Sequence, residues 1–347
     1  NDLHDELILL KGARPFGFDK ITEQLEQKVH ETILEVNLNA IVHNLNYFRS
    51  CLNPQTKIMI MVKAFCYGNG SYEIANILQH NKFDYLAVAF VDEGIELRNS
   101  GITVPIIVMN PEYGMLSTLY EYGLEPNIHN FAVLDEVKQL CATNPNKTYP
   151  IHLKMDTGMA RYGFQPHQIQ NLISELKLVP NCTVASIFSH LVGSDDAQFD
   201  SFTMNQIDLF DTMSKQIMAE FPYPIMRHIL NSAGIERFRD YQFDMVRLGI
   251  GLYGISFVNP QACQPISTLK TFVSGIRDME NNASVGYSRK TILKRKSKIA
   301  VIPIGYADGF NRKLSNGVGT VLIHGKEVPV VGNICMDAAM IDITDVP

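Results

Sequence analysis

Three features that would place this chain of 347 residues in a broad class of proteins are missing from its sequence. Basic residues do not outnumber acidic ones: 30 Lys and Arg stand against 36 Asp and Glu, for a net charge of −6, so the electrostatic footprint of a nucleic-acid-binding protein is absent. No apolar run approaches the roughly 20 residues that a membrane-spanning helix needs. The six cysteines never occur in a C-x-x-C spacing, which predicts reduced thiols in a cytoplasmic protein.

The first 31 residues differ in texture from the rest of the chain. Residues 1–31 are charged and irregular, apart from a helix predicted over 19–30. The chain begins with Asn1 and carries no signal-peptide pattern after it, so we expect a piece of a longer protein.

From residue 32 to residue 257 the sequence alternates between short apolar runs and helical patterns. A strand is predicted at 32–38 and an amphipathic helix at 39–49. Eight further strands are then predicted at 57–64, 85–90, 105–110, 125–129, 151–156, 184–190, 226–231 and 244–253. Eight strands joined by helical crossovers are the count for an α/β fold of the (β/α)8 type, a TIM-like barrel. A doubly wound sheet is the alternative, although no Gly-rich dinucleotide turn is present.

The last part of the chain has a different hydrophobic pattern. Residues 266–347 contain β-rich runs punctuated by Gly and Asn, with almost no helical period, which predicts a smaller all-β domain. Residues 258–265 carry two prolines and little hydrophobic pattern, so we expect a linker there.

The stretch 57–70 is the centre of the functional prediction. Five of the six residues 57–62 are apolar, which predicts a buried strand, and Lys63 follows at its mouth. Desolvation lowers the pKa of an amine, and a lowered pKa suits both Schiff-base chemistry and proton abstraction. Tyr67 and the glycines at 68 and 70 would then form a sharp turn. The alternative is a lysine that reaches out to solvent before an ordinary turn.

Polar residues concentrate at the ends of a few predicted strands, where a barrel of this kind binds its ligands. Strands two to four offer almost nothing polar. The candidates from strands one and five to eight are Lys63, Lys154, Asp156, Arg161, His190, Arg227, His228, Asn231, Ser232 and Arg247. Ser232 at a predicted helix start and the turn at 249–251 suit a phosphate held by backbone amides.

Seven ordered blocks carry a resemblance to a known family. They are VKAFCYGNG (62–70), HLKMDTGMARYGF (152–164), LNSAG (230–234), VRLGIGLYG (246–254), SVGYSRKT (284–291), PIGYADGFNR (303–312) and GNICMD (332–337). In this order they resemble the alanine racemases that depend on pyridoxal 5′-phosphate. The resemblance runs from about Thr32 to the end and implies a barrel that binds the cofactor, a β domain and a homodimer with shared active sites.

The resemblance implies two catalytic residues. Lys63 would hold pyridoxal phosphate as a Schiff base and then act as the base on one face of the substrate Cα. Tyr287 of the opposite subunit would act on the other face, since racemisation needs two acid–base groups that flank one carbon. We therefore expect L-alanine and D-alanine to be interconverted, supplying D-alanine for peptidoglycan.

The remaining roles are also implied by the resemblance. Arg247 would face the pyridine nitrogen, beside His190 and supported by a hydrogen bond from His228. The phosphate would be held by Tyr67, Asn231, Ser232, Gly249 and Ile250. Arg161 and the partner's Met336 would bind the substrate carboxylate, with a carbamylated Lys154 positioning Arg161. Tyr306, Arg312 and Asp195 would line the substrate corridor, and no metal is expected.

Some positions depart from the family pattern. Phe65, Cys66, Asn69 and Asn333 stand where the family usually has other residues, and the family's last strands, with a C-terminal tyrosine near the phosphate, are expected to be missing. The run ILLKGARPFGFDKI (8–21) resembles the tail of a Mur ligase, which indicates a ligase–racemase fusion. A broad-specificity racemase and a barrel that binds pyridoxal phosphate without racemase turnover remain as alternatives.

Overall fold

The structure is a computed structural model that describes residues 32–347. The N-terminal extension 1–31 and the helix predicted over 19–30 lie outside the described residues. The described chain forms two compact units, one of residues Val36–Ser267 and one of Thr268–Pro347 together with residues 32–35. Within residues 32–347, no helix is both long and apolar enough to cross a membrane.

The larger unit is built on eight parallel strands. They are β2 (Lys57–Met61), β3 (Tyr85–Val88), β4 (Ile106–Val108), β5 (Glu125–Ile128), β6 (Tyr149–Lys154), β7 (Cys182–Phe188), β8 (Met226–His228) and β9 (Met245–Leu248). Their order in the sheet is β8-β7-β6-β5-β4-β3-β2-β9. Backbone bonds from Asp244 to Arg227 and from Arg247 to Leu230 join the two outer strands, so the sheet closes into a barrel.

Helices cover the outside of the barrel. They are α1 (Leu38–Ser50), α2 (Ser71–Gln79), α3 (Val91–Asn99), α4 (Leu116–Glu121), α5 (Phe131–Thr143), α6 (Ile169–Lys177), α7 (Asp200–Met218) and α8 (Ser232–Arg237). The amphipathic pattern explains their placement. In α6 the buried residues are Ile169, Leu172, Ile173 and Leu176, which share one face of a 3.6-residue period and pack against the strands.

The interior of the barrel is divided into an apolar and a polar side. Met59, Ala87, Ile107 and Met245 form a small buried cluster of their own, apart from the large cluster that lies between strands and helices. On the other side the fully or almost fully buried side chains are polar, namely His152, Ser186, His228 and Arg247. Since buried polar groups need partners, this side must be built around hydrogen bonds.

The smaller unit is a β domain. Its strands are β10 (Ser267–Lys270), β11 (Gly275–Met279), β12 (Ser284–Val285), β13 (Thr291–Ile292), β14 (Ser297–Ile302), β15 (Thr320–Ile323), β16 (Lys326–Val331) and β17 (Ala339–Asp342). Five of them form an antiparallel sheet in the order β11-β14-β17-β16-β15, while β12 pairs with β13. The short strand β1 (Ile33–Val36) pairs with β10.

The predicted fold class, a TIM-like barrel followed by a smaller β domain, is confirmed. Several predicted strands extend beyond the observed ones; the strand predicted at 226–231, for example, covers only Met226–His228. The strand predicted at 57–64 ends at Met61, because the backbone turns into a left-handed conformation from Ala64. The strand predicted at 244–253 ends at Leu248, because the glycine-containing segment after it folds back in tight turns, with the amide of Leu252 bonded to the carbonyl of Gly249.

Candidate active site

Lys63 stands at the start of an unusual turn. Ala64, Phe65, Cys66 and Tyr67 all have φ between 51° and 57°, a left-handed conformation that L residues other than glycine seldom adopt. Such a run persists only where its surroundings hold it. Here Cys66 is fully buried, and the carboxylate of Glu93 accepts the amide hydrogen of Ala64 at 2.6 Å. This hydrogen bond thus holds in place the backbone of the residue that directly follows Lys63.

The electrostatic surroundings of Lys63 favour the neutral amine. Burial lowers the pKa of Lys63, and the guanidinium of Arg161 lowers it further, whereas the carboxylate of Glu93 acts in the opposite direction. An amine with a lowered pKa has a larger nucleophilic fraction at neutral pH.

A cavity of about 480 Å³ opens at the carboxyl ends of the strands. Its lining brings together four predicted cationic residues, Lys63, Lys154, Arg161 and Arg247. It also contains the residues predicted for the phosphate, Tyr67, Asn231, Ser232, Gly249 and Ile250, together with His190 and Asp195. His228 lies beneath the cavity, fully buried behind Arg247.

The guanidinium of Arg247 is buried among neutral acceptors. Its Nη1 donates to Nδ1 of His228 at 2.8 Å, and its Nη2 donates to the carbonyl of Ile229 at 3.0 Å, to Nδ1 of His190 at 3.3 Å and to the carbonyl of Ser189. Within residues 32–347, no carboxylate forms an ion pair with it. Burial therefore lowers the pKa of Arg247 to about 9.

Two neighbours are shifted by burial and by these cations. Burial and then the charges of Arg247, Lys154, Arg161 and Lys63 lower the pKa of His190 to about 3, so its ring is neutral at physiological pH. Burial, followed by the charges of Arg161, Arg247 and Lys63, lowers the pKa of Lys154 to about 8. The cluster therefore concentrates positive charge around a cavity that has room for an anionic ligand.

At the end of the cavity where the phosphate is predicted, side chains hold backbone amides in place. The Ser232 hydroxyl accepts the amide hydrogens of Gly249 and Gly251, each at 3.1 Å. The side chain of Asn231 caps helix α8 by accepting the amide hydrogen of Gly234 at 2.9 Å, so it orients the helix start. A Cβ added at Gly249 would lie 3.1 Å from the hydroxyl of Tyr67, which shows how closely the backbone approaches that side chain.

The other predicted residues belong to the β domain and are described within it. Tyr287 follows β12, and 68% of its side chain is exposed; Met336 is 60% exposed. Nδ2 of Asn333 donates to the carbonyl of Tyr287 at 3.1 Å, and its Oδ1 accepts from Nδ2 of Asn316 at 3.0 Å. Asn333, one of the departures from the family pattern, therefore holds the backbone that presents Tyr287.

The positions predicted for the substrate corridor and for the departures from the family pattern have contacts of their own. The guanidinium of Arg312 lies 5.7 Å from the ring centre of Tyr306, a cation–π contact. Phe65 is more than half exposed beside Lys63, while Nδ2 of Asn69 donates to the carbonyl of Cys66 at 3.0 Å and thereby closes the left-handed turn.

The sequence did not point to three features of the site. Glu93 lies after strand β3, and Glu125 begins strand β5, in a part of the barrel where almost nothing polar was expected at the site. His152 is a lone histidine in the apolar strand β6. The available signal was an ionisable residue inside, or directly after, an otherwise buried strand.

Comparison with known proteins gives consistent results. The family profile described as "Alanine racemase, N-terminal domain" matches residues 36–257, and the one described as "Alanine racemase, C-terminal domain" matches residues 266–347. Alanine racemase 2 of Caldanaerobacter subterraneus subsp. tengcongensis is 39% identical over 328 residues, which cover 92% of this chain and 83% of that protein.

Two solved structures extend the comparison. Alanine racemase from Bartonella henselae with covalently bound pyridoxal phosphate has a TM-score of 0.81 and 30% identity, covering 91% of this chain and 86% of that chain. Alanine racemase from Bacillus anthracis with bound L-Ala-P has a TM-score of 0.83 and 29% identity, covering 91% and 83%.

Proposed function

The chain belongs to the alanine racemase family, and we propose that Lys63 and Tyr287 are the two acid–base groups with which it interconverts L-alanine and D-alanine. The enzyme depends on pyridoxal phosphate. The observation that carries the residue assignment is the cavity in which Lys63, with its lowered pKa, and the buried Arg247 face one space.

The donor set of this cavity fits the cofactor. Its volume of about 480 Å³ lies within the range of small-molecule sites. Lys63 offers an amine for the aldehyde, and Arg247 offers a cation for the ring nitrogen. Tyr67, Ser232 and the segment 249–251, whose backbone Ser232 holds in place, stand together at one end, where Gly249 leaves space that a Cβ would fill. We propose that this end holds the phosphate.

Pyridoxal phosphate supplies an aldehyde that binds the substrate amine and a ring that withdraws electrons from the substrate Cα. Arg247 sets the strength of that withdrawal. A cation beside the ring nitrogen disfavours its protonation, so electron density is drawn less strongly away from Cα. The buried Arg247 therefore favours return of the proton to Cα, which is what a racemase requires.

Lys63 moves the proton on one face of alanine. Once its Nζ is free, burial and Arg161 favour the neutral amine, which can accept the hydrogen from Cα. After transfer the amine carries a positive charge, and the carboxylate of Glu93 stabilises that charge. Lys63 can thus serve as base in one direction and as acid in the other.

Tyr287 serves the opposite face, from a second copy of the chain. Its exposed ring and the exposed side chain of Met336 support a homodimer with shared active sites, in which the β domain of one copy completes the cavity of the other. On this proposal residues 32–257 carry the cofactor and residues 266–347 contribute Tyr287 and Met336, with 258–265 as the linker.

Arg161 and Met336 bind the substrate carboxylate. A guanidinium fork matches two carboxylate oxygens, and Arg161 is accessible at the cavity wall. Lys154 would repel it as a second cation. With a pKa of about 8, about one in ten Lys154 side chains is neutral at pH 7 and free to react with carbon dioxide. Forming the N–C bond releases one proton and leaves a carbamate anion that orients Arg161.

Mixing two inactive variants tests the shared site. A copy with Lys63→Ala keeps Tyr287, and a copy with Tyr287→Phe keeps Lys63, so each mixed dimer contains one intact site. Random association of equal amounts should restore about a quarter of the wild-type racemase activity. No recovery in dimers shown to be mixed would overturn the assignment of the two bases to different copies.

Isotope exchange tests whether two separate bases act on the two faces of the substrate Cα. In deuterium oxide, Tyr287→Phe should still exchange the Cα hydrogen of one alanine enantiomer, while interconversion falls by about 10²–10⁴-fold. Equal loss of exchange and interconversion for both enantiomers would refute a two-base scheme. Testing other amino acids in the same assay distinguishes a broad-specificity racemase, and cofactor binding without any interconversion would indicate a binding protein.

We also propose that D-alanine is made in the cytoplasm for peptidoglycan. The six cysteines are all free thiols, which agrees with a reducing compartment. The similarity of residues 8–21 to the tail of a Mur ligase supports a ligase partner that consumes D-alanine. The complete reading frame of the gene tests the fusion, and a frame without a ligase domain would exclude it.

A further inference from the structure

A chain of polar side chains crosses the barrel interior behind Arg247. Nη1 of Arg247 lies 2.8 Å from Nδ1 of His228, and Nε2 of His228 lies 2.9 Å from the hydroxyl of Ser186. That hydroxyl lies 2.7 Å from Nδ1 of His152, whose Nε2 lies 2.6 Å from a carboxylate oxygen of Glu125. Four consecutive hydrogen bonds thus connect strands β9, β8, β7, β6 and β5.

The direction of every hydrogen bond is set by the two ends of the chain. A guanidinium can only donate, so Nδ1 of His228 accepts and its Nε2 carries the hydrogen. This hydrogen is donated to Ser186, and among the described residues the hydroxyl hydrogen of Ser186 has no acceptor other than Nδ1 of His152, so it is donated there. Nε2–H of His152 then donates to Glu125, which as a carboxylate can only accept. The direction that Arg247 requires as a donor is therefore the same as the direction that Glu125 requires as an acceptor.

The surroundings leave little freedom for another arrangement. His152, Ser186 and His228 have no exposed surface, and the ring of His228 stacks on Phe188 at 4.9 Å. Burial and the charge of Arg247 lower the pKa of His228, which keeps its ring neutral. The side chain of Glu125 is 18% exposed, so the charge that ends the chain keeps some contact with solvent.

We propose that Glu125 is a positioning residue for Arg247, acting through His152, Ser186 and His228. The chain holds His228 as a neutral hydrogen-bond acceptor and so fixes one branch of the guanidinium. A hydrogen on Nδ1 of His228 would oppose the Nη1 hydrogens and displace Arg247. This inference deepens the proposed function, because it rests on Arg247 facing the ring nitrogen of the cofactor.

Nuclear magnetic resonance on the full chain without cofactor tests the hydrogen-bond direction. Imidazole nitrogen shifts should show both His152 and His228 neutral, with the hydrogen on Nε2. Glu125→Ala should shift the Nε2–H resonances of His152 and of His228, although two side chains, those of His152 and Ser186, separate His228 from Glu125. His129 is an internal control, because its Nδ1 has no partner within the described residues and its ring is not part of the series of hydrogen bonds from Arg247 to Glu125.

Racemase kinetics on the loaded enzyme test the consequence. Glu125→Ala and Ser186→Ala should each lower kcat by about tenfold, the effect of one lost buried hydrogen bond, with the KM for alanine unchanged. Glu125→Gln and Ser186→Thr keep an acceptor and a hydroxyl, and they should recover most of the rate. Glu121→Ala removes an exposed acid from the preceding helix and should leave the rate unchanged.

The outcomes separate this inference from the proposed function. An imidazolium or an Nδ1–H tautomer at His228 in the wild-type chain would overturn it, whatever the enzyme's activity. So would unchanged His228 resonances and unchanged kcat in Glu125→Ala. If Glu125→Ala does not fold, Ser186→Ala against Ser186→Thr gives the same decision. If instead the wild-type protein shows the predicted tautomers but substitutions of Arg247 leave the activity unchanged, the role of Arg247 in the proposed function is refuted.

Discussion

Replacement of Glu93 by alanine should disturb the left-handed turn after Lys63. The carboxylate of Glu93 accepts the amide hydrogens of Ala64 and Ala89, both at 2.6 Å, and that of Phe90 at 3.3 Å. It thereby ties the residue after Lys63 to the end of the neighbouring strand β3. Alanine removes all three acceptors and also removes the negative charge near the Lys63 amine.

The magnitudes decide which effect dominates. Four residues in the left-handed conformation store roughly 4–8 kcal/mol at about 1–2 kcal/mol each. A hydrogen bond to a charged group contributes about 1.5–3 kcal/mol, and solvent can replace the one at the exposed Ala64 amide. We therefore expect a loss of about 2 kcal/mol in unfolding free energy for Glu93→Ala. Because the strain favours a relaxed backbone, loss of this restraint should let the turn shift and move Lys63.

Uptake of pyridoxal phosphate by the cofactor-free chain provides the assay. Absorbance gives the rate of covalent uptake across pH, and a displacement of Lys63 by about 1 Å should slow the limiting rate by about 10²-fold. Because the charge of Glu93 raises the pKa of Lys63, its removal should shift the acid limb of this profile to lower pH. Glu96→Ala, an exposed acid on the same helix, should behave as wild type. Wild-type uptake with an unshifted acid limb in Glu93→Ala would refute the reasoning.

Other parts of the structure support three further predictions. The pKa of His190 is about 3 in the folded protein, below its unfolded value, so the contribution of His190 to stability is present above about pH 6.5 and is lost as the pH falls. In His190→Gln the slope of the unfolding free energy against pH, measured between pH 4 and 6, should therefore decrease by about 1.4 kcal/mol per pH unit. An unchanged slope would contradict this. Removal of carbon dioxide at pH 7 should lower racemase activity and added bicarbonate should restore it, whereas Lys154→Met should not respond to either. Mass spectrometry should detect the carbamate on Lys154, and a bicarbonate response in Lys154→Met would contradict the prediction. Gly251→Ala places a Cβ 2.3 Å from Cζ of the buried Phe48 and should cost about 1–3 kcal/mol in a denaturant titration, while Gly275→Ala, which meets nothing within 4 Å, should cost less than Gly251→Ala.

Sequence patterns were sufficient for the fold because the hydrophobic period is regular. The buried runs of β2 to β9 and the amphipathic helices between them predict a barrel, and the loss of helical period after residue 265 predicts the β domain. Alanine racemase activity with pyridoxal phosphate, implied by the resemblance, is confirmed by the family profiles and relatives.

Local conformation was less predictable. Ala64, Phe65 and Cys66 have no sequence preference for a left-handed turn, and the conformation depends on Glu93, which is far away along the chain. The contacts of Glu125 and His152 depend on the register between strands β5 and β6, which no local pattern reveals. The catalytic role of Tyr287, which only the family resemblance implies, stays a prediction.

The unequal halves of the barrel interior have a consequence for how this sequence can vary. Met59, Ile107 and Met245 can be exchanged for other aliphatic residues one at a time, because only volume has to be preserved. An apolar residue in place of His152 or Ser186 would leave a neighbour's hydrogen or lone pair unpaired in a dry interior, whereas Ser186→Thr keeps the hydroxyl. A saturation library should therefore tolerate many single replacements in strands β2 and β4, whereas at His152 and Ser186 high activity should survive only where the hydrogen-bonding atoms are kept, as in Ser186→Thr, or where a second change compensates.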